Sequence, residues 1–320
     1  MTTTGSPFSA PPYQGICTFG RRPHSRELAG VDVAILGVPY DSSTSYRSGA
    51  RFGPRAIREQ SLLLWGYNNA QQVAPFEVLK VVDCGDVDVV PVDILATHQA
   101  IEGTAKTILQ SGSQLVTLGG DHSISLPLLR AHHAIHGPLA VVHFDAHPDT
   151  WDEEYPTFKY SHGTPFRRAI EEGLIDTEAY LQIGIRGPTA GPQDYVDARQ
   201  LGARLITFDE AAEVGVRNVL AEVHQRIGAR PLYVTLDIDV VDPAFAPGTG
   251  TPEVGGFTSH QLLQLLRGLA GLNLIGADVV EVAPPFDSQQ ITAVLAANLV
   301  FELLSLLARK KLARESPAQN

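Results

Sequence analysis

Three residues that can ionise or bind metal ions follow a run of apolar residues in the segment VVHFDAHPDTW. Asp145, His147 and Asp149 stand there at alternate positions. Side chains two residues apart lie on the same face of an extended chain, so two carboxylates and an imidazole converge where the strand ends. Burial of such charges is costly unless they are paired or bind a metal ion.

Two further segments place ionisable residues at predicted strand ends. The segment GGDHS contains His122 after one apolar run, and DIDVVDP contains Asp237 and Asp239 after another. If the strands are parallel, their carboxyl ends lie at one edge of the sheet, and the three clusters meet there. Asp121 and Asp242, in the same two segments, could instead cap turns beside the site.

The pooled set of two imidazoles and four carboxylates is typical of a site for two divalent cations. Clustered carboxylates in a partly buried cleft repel one another, and cations would neutralise them. Such ligands suit manganese, and the lack of cysteine in these segments argues against a zinc–thiolate site. Two neighbouring ions can share a water molecule and lower its pKa. The predicted metal ligands are His122, Asp145, His147, Asp149, Asp237 and Asp239.

Each cluster by itself has a simpler interpretation. A DxD segment at a strand end often satisfies loop amides, and a DH pair is often structural. The coincidence of three such clusters at three strand ends favours the metal site.

Eight short apolar segments alternate with helical segments along the chain. This alternation predicts an α/β fold with a parallel sheet covered on both faces. An eight-stranded barrel fits the same pattern. The predicted strands are 31–38, 79–87, 114–119, 139–145, 180–185, 204–208, 231–239 and 274–282, and the predicted helices include 94–110, 124–135 and 259–271.

We predict a single catalytic domain over residues 31–307, because no repeat, low-complexity block or linker interrupts this range. Residues 1–30 are rich in Pro, Gly, Ser and Thr and are expected to form an N-terminal arm. The polar segment 308–320 is expected to be a tail that frays.

The composition limits the classes of partner. The chain of 320 residues carries a net charge of −11, which argues against nucleic acid or an anionic membrane as a partner. Cys17 and Cys84 are too few for a disulfide framework and indicate a reducing compartment. The first residues do not resemble a signal peptide, and no apolar run is expected to reach the ~18 residues of a transmembrane helix. We therefore expect a cytoplasmic protein.

Several segments together resemble the ureohydrolase superfamily of arginase and agmatinase, and the resemblance covers nearly the whole chain. It implies a three-layer α/β/α fold with an eight-stranded, mostly parallel sheet, which favours an open sheet over a barrel. It also implies two manganese ions per chain, hydrolysis of a guanidino group to urea and an amine, and homo-oligomers that are trimers or hexamers. The segments are GVPYDSSTSYRSGARFGPRAIR (37–58), GGDHS (119–123), DAHPD (145–149), SHGTPFRRA (161–169), DIDVVDPAFAPGTGTPEVGG (237–256) and EVAPPFD (281–287).

The resemblance also implies roles for single residues. The metal ligands that it implies are the set given above. It implies that His162 lies beside the substrate and transfers a proton, that Glu281 binds the guanidinium group, and that Asp149 takes a proton from the attacking hydroxide. Without the family pattern, His162 would be interpreted as a loop histidine that caps a turn, and Glu281 as the partner of an arginine.

The segments YQGICTFGRRP, HGTPFRRA and GTGTPEVGG resemble agmatinases more than arginases. Agmatine would then be hydrolysed to putrescine and urea. The same branch contains guanidinobutyrase, guanidinopropionase and proclavaminate amidinohydrolase, whose substrates remain alternatives. The loop 151–160 carries three acidic residues against Lys159, which favours a substrate with an ammonium tail, whereas Arg47 and Arg51 could hold a carboxylate tail.

Functions of other classes fit the sequence less well. A catalytically inactive relative would be expected to lose metal ligands, and all six are present. A single-zinc deacetylase would need fewer carboxylates. The segment LGGDHS lacks the lysine of a phosphate-binding loop.

Overall fold

The computed structural model describes residues 11–315 and contains a sheet of eight parallel strands. Their order across the sheet is β2-β1-β3-β8-β7-β4-β5-β6, and the sheet is open. The predicted α/β fold is therefore confirmed, and the barrel alternative is wrong. The strands are β1 (Val33–Gly37), β2 (Val81–Asp86), β3 (Gln114–Leu118), β4 (Leu139–Phe144), β5 (Ile175–Ile185), β6 (Arg204–Thr207), β7 (Leu232–Asp237) and β8 (Leu274–Val280).

Helices cover both faces of the sheet. Alternate residues of β1 belong to two separate buried clusters: Val33 and Ile35 pack in one, and Ala34 and Leu36 in the other. The first cluster includes residues of α8, α9 and α10, and the second includes residues of α3 and α4. The helices of residues 11–315 are α1 (Gly53–Ser61), α2 (Pro75–Val78), α3 (Ile94–Gln110), α4 (Ser125–His136), α5 (Pro165–Glu171), α6 (Gln193–Gln200), α7 (Phe208–Val214), α8 (Val216–Ile227), α9 (Ser259–Arg267) and α10 (Ile291–Glu315).

The central strands end at one level of the sheet. Every residue of β4 and β7 is buried, as expected for parallel strands covered on both faces. Phe144 of β4 lies opposite Leu236 of β7 and Ile183 of β5. The residues that follow β4 and β7 therefore emerge side by side. Strands β3 and β4 are consecutive in sequence but are separated by β8 and β7, which creates a crevice at the carboxyl ends.

The last helix continues to Glu315 and so runs through much of the segment that we expected to be a frayed tail. Nζ of Lys311 lies 2.9 Å from both carboxylate oxygens of Asp32, and Nζ of Lys310 donates a hydrogen bond to the carbonyl of Leu274. These contacts attach the end of the helix to the sheet. Residues 316–320 lie outside the described part of the chain.

By length and composition alone, the segment Ser288–Glu315 could cross a membrane. This finding is contrary to our expectation that no apolar run would be long enough. However, 83% of its most apolar window is buried inside the protein. Contacts with α1, α2 and α9 surround it. These contacts are typical of a core helix.

The described part of the predicted N-terminal arm is anchored at Phe19, whose side chain is buried. Its backbone N–H donates a 2.8 Å hydrogen bond to Oδ2 of Asp83. Arg58 forms an ion pair with the same carboxylate, which attaches the arm to α1 and β2. Residues 1–10 of the arm lie outside the described part.

Candidate metal centre and active site

His122 lies at the centre of the first group of predicted ligands. Its ring is fully buried. Nδ1 lies 3.0 Å from Oδ2 of Asp145, 3.0 Å from Oδ2 of Asp149 and 3.3 Å from Oδ2 of Asp237. It nevertheless makes no hydrogen bond of good geometry with them. A buried imidazole nitrogen that faces three carboxylate oxygens in this way fits a divalent cation, because ligation would satisfy all four atoms.

The other nitrogen of the His122 ring fixes its tautomer. Nε2 lies 2.9 Å from Oγ1 of Thr235, and that hydroxyl donates to Oδ1 of Asp278 at 2.6 Å. Because the hydroxyl proton is directed at Asp278, its oxygen accepts the N–H of Nε2. In the neutral ring Nδ1 therefore carries the lone pair, and the ring is oriented in the manner of metal-binding histidines.

The second group of predicted ligands shares Asp145 with the first. Nδ1 of His147 lies 3.0 Å from Oδ2 of Asp239 and 3.6 Å from Oδ1 of Asp145. Asp145 thus presents Oδ2 to the first group and Oδ1 to the second. The structure therefore brings all six predicted ligands together at the carboxyl edge of the central strands. Two groups there have ligand atoms close enough to hold a metal ion. One is Asp145, His147 and Asp239, and the other joins the unpredicted His143 to His122, Asp145 and Asp149.

The electrostatics of the cluster favour cations. Burial and the charge of Asp145 raise the pKa of Asp149 to about 7. Burial and the charges of Asp239 and Asp145 raise the pKa of Asp237 well above its ordinary value. These shifts mean that the ionised carboxylates destabilise one another. Divalent cations would remove this repulsion.

Glu281 and His162, two residues predicted to act on the substrate, lie in contact beside the cluster. Oε1 of Glu281 accepts the backbone N–H of His122 at 2.9 Å and lies 3.0 Å from Nδ1 of His162. Oε2 is buried and has no hydrogen-bond partner within residues 11–315. Burial lowers the pKa of His162, but the hydrogen bond and charge of Glu281 outweigh burial and raise that pKa to about 10.

Two residues of the site have left-handed backbone conformations. Glu281 has φ 61° and Asp149 has φ 48°. Such conformations cost a residue other than glycine on the order of 1–3 kcal/mol and are concentrated at functional sites. The fold therefore holds both carboxylates in positions that relaxed backbone would not give them.

Comparison with known proteins identifies the family. Residues 31–305 match the Arginase family. The chain belongs to the arginase family. It is 49% identical to the guanidinopropionase of Pseudomonas aeruginosa over 93% of each chain. An agmatinase of Chromobacterium violaceum is 45% identical, with 94% of this chain and 91% of the relative covered. The structure of proclavaminate amidinohydrolase from Streptomyces clavuligerus superimposes with a TM-score of 0.90, at 45% identity, over 94% of this chain and 99% of the other.

This arginase-family chain is thus an amidinohydrolase, a hydrolase of C–N bonds in amidines. The names of its relatives give different substrates. The features around the cluster therefore bear on which substrate this member takes.

A small cavity of about 90 Å³ lies beside the cluster. Five of its lining residues, Ser45, Trp151, Glu154, Gly163 and Thr251, were not among the predicted site residues. Glu154 belongs to the acidic loop noted in the sequence, but no spacing or composition pointed to Ser45. The complete lining is Ser45, His147, Asp149, Trp151, Glu154, His162, Gly163, Asp237 and Thr251.

Only one acid of the loop 151–160 lines the cavity. Oε2 of Glu154 accepts the backbone N–H of Gly163 at 3.1 Å, and Oε1 lies 3.7 Å from Nε2 of His162. Asp152 and Glu153, in contrast, are exposed to solvent. The predicted acidic mouth is therefore reduced to a single carboxylate.

The three basic residues that could hold a carboxylate tail do not line this cavity. The guanidinium of Arg47 donates to the backbone carbonyls of residues 249–250 at 2.9 and 3.0 Å. Arg51 forms an ion pair with the buried Asp41. Lys159 is exposed and lies near an acid of its own loop.

His143 lies next to Asp145 and was not among the predicted site residues. Its Nε2 is 2.7 Å from Oδ2 of Asp145, and its Nδ1 is 3.1 Å from the hydroxyl of Tyr180. Gln182 donates to that hydroxyl oxygen at 2.9 Å, so the hydroxyl proton is free to bond Nδ1. Nε2 of His143 then carries a proton and donates it to Asp145. The alternation of Asp145 and His147 extends back to His143, which was the available signal.

Proposed function

We propose that this amidinohydrolase acts on agmatine and releases urea and putrescine. The observation that supports this substrate is the carboxylate of Glu154 on the cavity wall, while Arg47, Arg51 and Lys159 are engaged elsewhere. Agmatine ends in an ammonium group, which an anionic wall attracts, and a carboxylate tail would be repelled.

We further propose that two manganese ions per chain are held by the clustered ligands. The unpaired Nδ1 of His122 and the shared carboxylate of Asp145 support this proposal. When bound, the ions would neutralise the carboxylates and lower the pKa of a water molecule, which can then attack the guanidinium carbon. One ion would bind between His122, Asp145, Asp149 and Asp237, and the other between Asp145, His147 and Asp239.

The protein side chains orient the substrate and transfer protons. Oε2 of Glu281 has no partner and can accept N–H groups of a planar guanidinium. Asp149, whose Oδ2 faces the first group of ligands, can take a proton from the attacking water. His162, whose pKa is about 10, is protonated at neutral pH and can supply the proton with which the amine leaves.

The test is urea release by the manganese-loaded protein with agmatine, 4-guanidinobutyrate and 3-guanidinopropionate at equal concentrations. We expect kcat/KM to be at least about tenfold higher for agmatine, which corresponds to ~1.4 kcal/mol of discrimination. Glu154→Gln should reduce that preference. Glu153→Gln, which removes an exposed charge of the same loop, should not.

A second candidate substrate is 3-guanidinopropionate, because guanidinopropionase is 49% identical over 93% of each chain. If this compound gave the highest kcat/KM, the agmatine proposal would be wrong. The amidinohydrolase chemistry would stand.

We also propose that the chain is a cytoplasmic homo-oligomer, a trimer or hexamer, whose partner is a small guanidino molecule. The family membership supports the assembly and the small guanidino partner. The net charge of −11 and the free thiols of Cys17 and Cys84 support the cytoplasmic location. Light scattering coupled to size-exclusion chromatography measures the mass. A monomer at micromolar concentration would contradict the assembly.

A further inference from the structure

Ser45 is in direct contact with His162 and also lines the cavity. Its Oγ lies 2.8 Å from Nε2 of the imidazole, and its backbone N–H donates to the same nitrogen at 3.0 Å. On the other side of the ring, Nδ1 is held by Glu281 at 3.0 Å. The acid, the imidazole and the hydroxyl therefore form a continuous line that ends at the cavity.

Ser45 can bind both protonation states of His162 without movement of the ring. In the neutral state, Nδ1–H donates to Glu281, and Nε2 accepts the backbone N–H of Ser45. In the protonated state, Nε2–H donates to Oγ of Ser45 instead. Nε2 thus has one partner on Ser45 in each state: the backbone N–H when the ring is neutral, and Oγ when the ring is protonated.

The loop that carries Ser45 is braced, although the side chain itself is exposed. Both the backbone N–H and the hydroxyl of Ser43 donate to Oδ2 of the buried Asp121, at 3.1 and 2.6 Å. The carbonyl of Ser43 accepts the backbone N–H of His162 at 3.2 Å. Two residues after Ser45, the guanidinium of Arg47 is fixed to the carbonyls of residues 249–250. The hydroxyl of Ser45 is therefore held in place against the imidazole.

The position of Nε2 gives this contact a consequence for catalysis. Both polar groups of Ser45 lie within 3.0 Å of Nε2, and Ser45 and His162 both line the cavity, so Ser45 stands next to this nitrogen in the cavity wall. The hydroxyl of Ser45 reaches the cavity and can accept from one side while it donates to the other. A hydroxyl in that position can pass on a proton.

We propose that Ser45 relays the proton from His162 to the leaving amine. In this step the electron pair of the breaking C–N bond stays on the amine nitrogen, which takes the proton of the Ser45 hydroxyl. Oγ takes the proton of Nε2 at the same time, so the hydroxyl is regenerated and the imidazole becomes neutral. The inference rests on the proposed role of His162 as the proton donor.

The test compares Ser45→Ala with Ser45→Thr, which keeps the hydroxyl, and with Ser48→Ala, an exposed serine of the same loop. We expect Ser45→Ala to lower kcat on the order of 10- to 100-fold, since general acid–base catalysis contributes 100-fold or more. KM should change by less than about twofold, and the manganese content should stay at the wild-type level. Ser45→Thr should recover most of kcat, and Ser48→Ala should match the wild type.

The pH profile separates a relay from a purely structural role. Without Oγ, the protonated imidazole loses its acceptor, whereas the neutral imidazole keeps the backbone N–H. The fall of kcat at alkaline pH should therefore move to lower pH in Ser45→Ala and not in Ser45→Thr.

Two results would overturn the relay. In the first, Ser45→Ala keeps a kcat within about twofold of the wild type, while His162→Ala is inactive. His162 would then remain the proton donor, and Ser45 would have no part in the transfer. The other is a rise in KM with an unchanged kcat, which would make Ser45 a binding residue. If His162→Ala itself kept full activity, the failure would lie in the proposed function.

Discussion

The carboxylate of Glu281 and the imidazole of His162 form a buried pair, with 3.0 Å between Oε1 and Nδ1. The same oxygen accepts a backbone N–H of His122, and the other oxygen has no partner in residues 11–315. In the proposed mechanism this side chain orients the proton donor, contacts the backbone of a metal ligand and offers a free oxygen to the guanidinium. Substrate binding and proton transfer would then both depend on a single carboxylate.

Glu281→Gln should lower kcat/KM for the best guanidino substrate by about 100-fold, because a hydrogen bond to a charged group contributes roughly 1.5–3 kcal/mol. Glutamine keeps the size of the side chain, so the manganese content should not change. Steady-state urea release and elemental analysis of the same sample measure both. A loss of manganese that parallels the loss of activity would show that Glu281 acts through the metals instead.

The proton donor should set the alkaline limit of activity. His162 has its pKa raised to about 10, so it is protonated below that pH and loses its proton above it. We expect kcat to fall as pH rises through about 10, and to fall at lower pH in Glu281→Gln, which lacks the charge that raises the pKa. His162→Ala should keep its manganese and lose most turnover. Profiles of kcat from pH 7 to 11 test this. Full activity or loss of both metal ions in that variant would contradict the role.

Asp237→Ala should deplete the metal centre. Its Oδ2 lies 3.3 Å from Nδ1 of His122, within the first group of ligands. We expect the manganese content after desalting to fall from two ions per chain to one or fewer. Asp88→Ala, which removes an exposed acid, serves as the control and should keep both ions. An Asp237→Ala protein with two tightly held ions would contradict the assignment.

The strands and the acidic cluster were predictable for a common physical reason. Parallel strands covered on both faces are continuous apolar runs, so LAVVHF and LYVTLD are recognisable as β4 and β7. The carboxyl ends of such strands lie at one edge of the sheet. The residues that directly follow them therefore lie close together, whatever conformation the loops adopt. Spacing and strand direction thus predicted how His122, Asp145 and Asp237 would be placed.

The residues that the sequence did not predict reach the site through loops. Ser45 lies 117 positions before His162, and their contact depends on side chains that brace its loop, such as Ser43 on Asp121. No local pattern encodes such contacts. The polar residues after Leu307 were expected to fray, but they continue α10 to Glu315, and Lys311 pairs there with Asp32, the residue before β1. The sequence does not show that these two distant residues meet.

His132 should make the folded state sensitive to acid. Its Nδ1 bonds the carbonyl of Leu128 at 2.8 Å, and its buried Nε2 has no partner within the described residues. Burial lowers its pKa to about 4, so the folded protein holds it neutral. The neutral His132 therefore contributes fully to stability above pH 6.5, and this contribution is lost as pH falls toward 4. The loss in free energy of unfolding between pH 7 and pH 5 is about 2 kcal/mol.

Urea unfolding of the metal-free protein at pH 7 and pH 5 measures this loss. His132→Leu has no group to protonate, so its free energy of unfolding should fall by about 2 kcal/mol less over the same range. Equal losses in the variant and the wild type would show that His132 does not contribute.

His143 should strengthen metal binding through Asp145. Its Nε2–H is directed at the oxygen of Asp145 that faces His122, and Tyr180 and Gln182 fix its tautomer. Residues that orient metal ligands in this way typically contribute 10- to 100-fold to metal affinity. We expect His143→Leu to weaken manganese binding by about that factor and His143→Gln, which can still donate to Asp145, to recover much of it.

Competition with a manganese-binding dye measures both affinity and stoichiometry, and thermal unfolding of the metal-free variants checks their fold. If His143→Leu binds two manganese ions with lower affinity, the result supports the orienting role. The metal ligands are then all present, and only the orientation of the Asp145 side chain is no longer fixed. If His143→Leu bound a single ion with wild-type affinity, His143 would instead be a ligand. Its Nε2 would then carry a lone pair, and its Nδ1–H would donate to the hydroxyl of Tyr180.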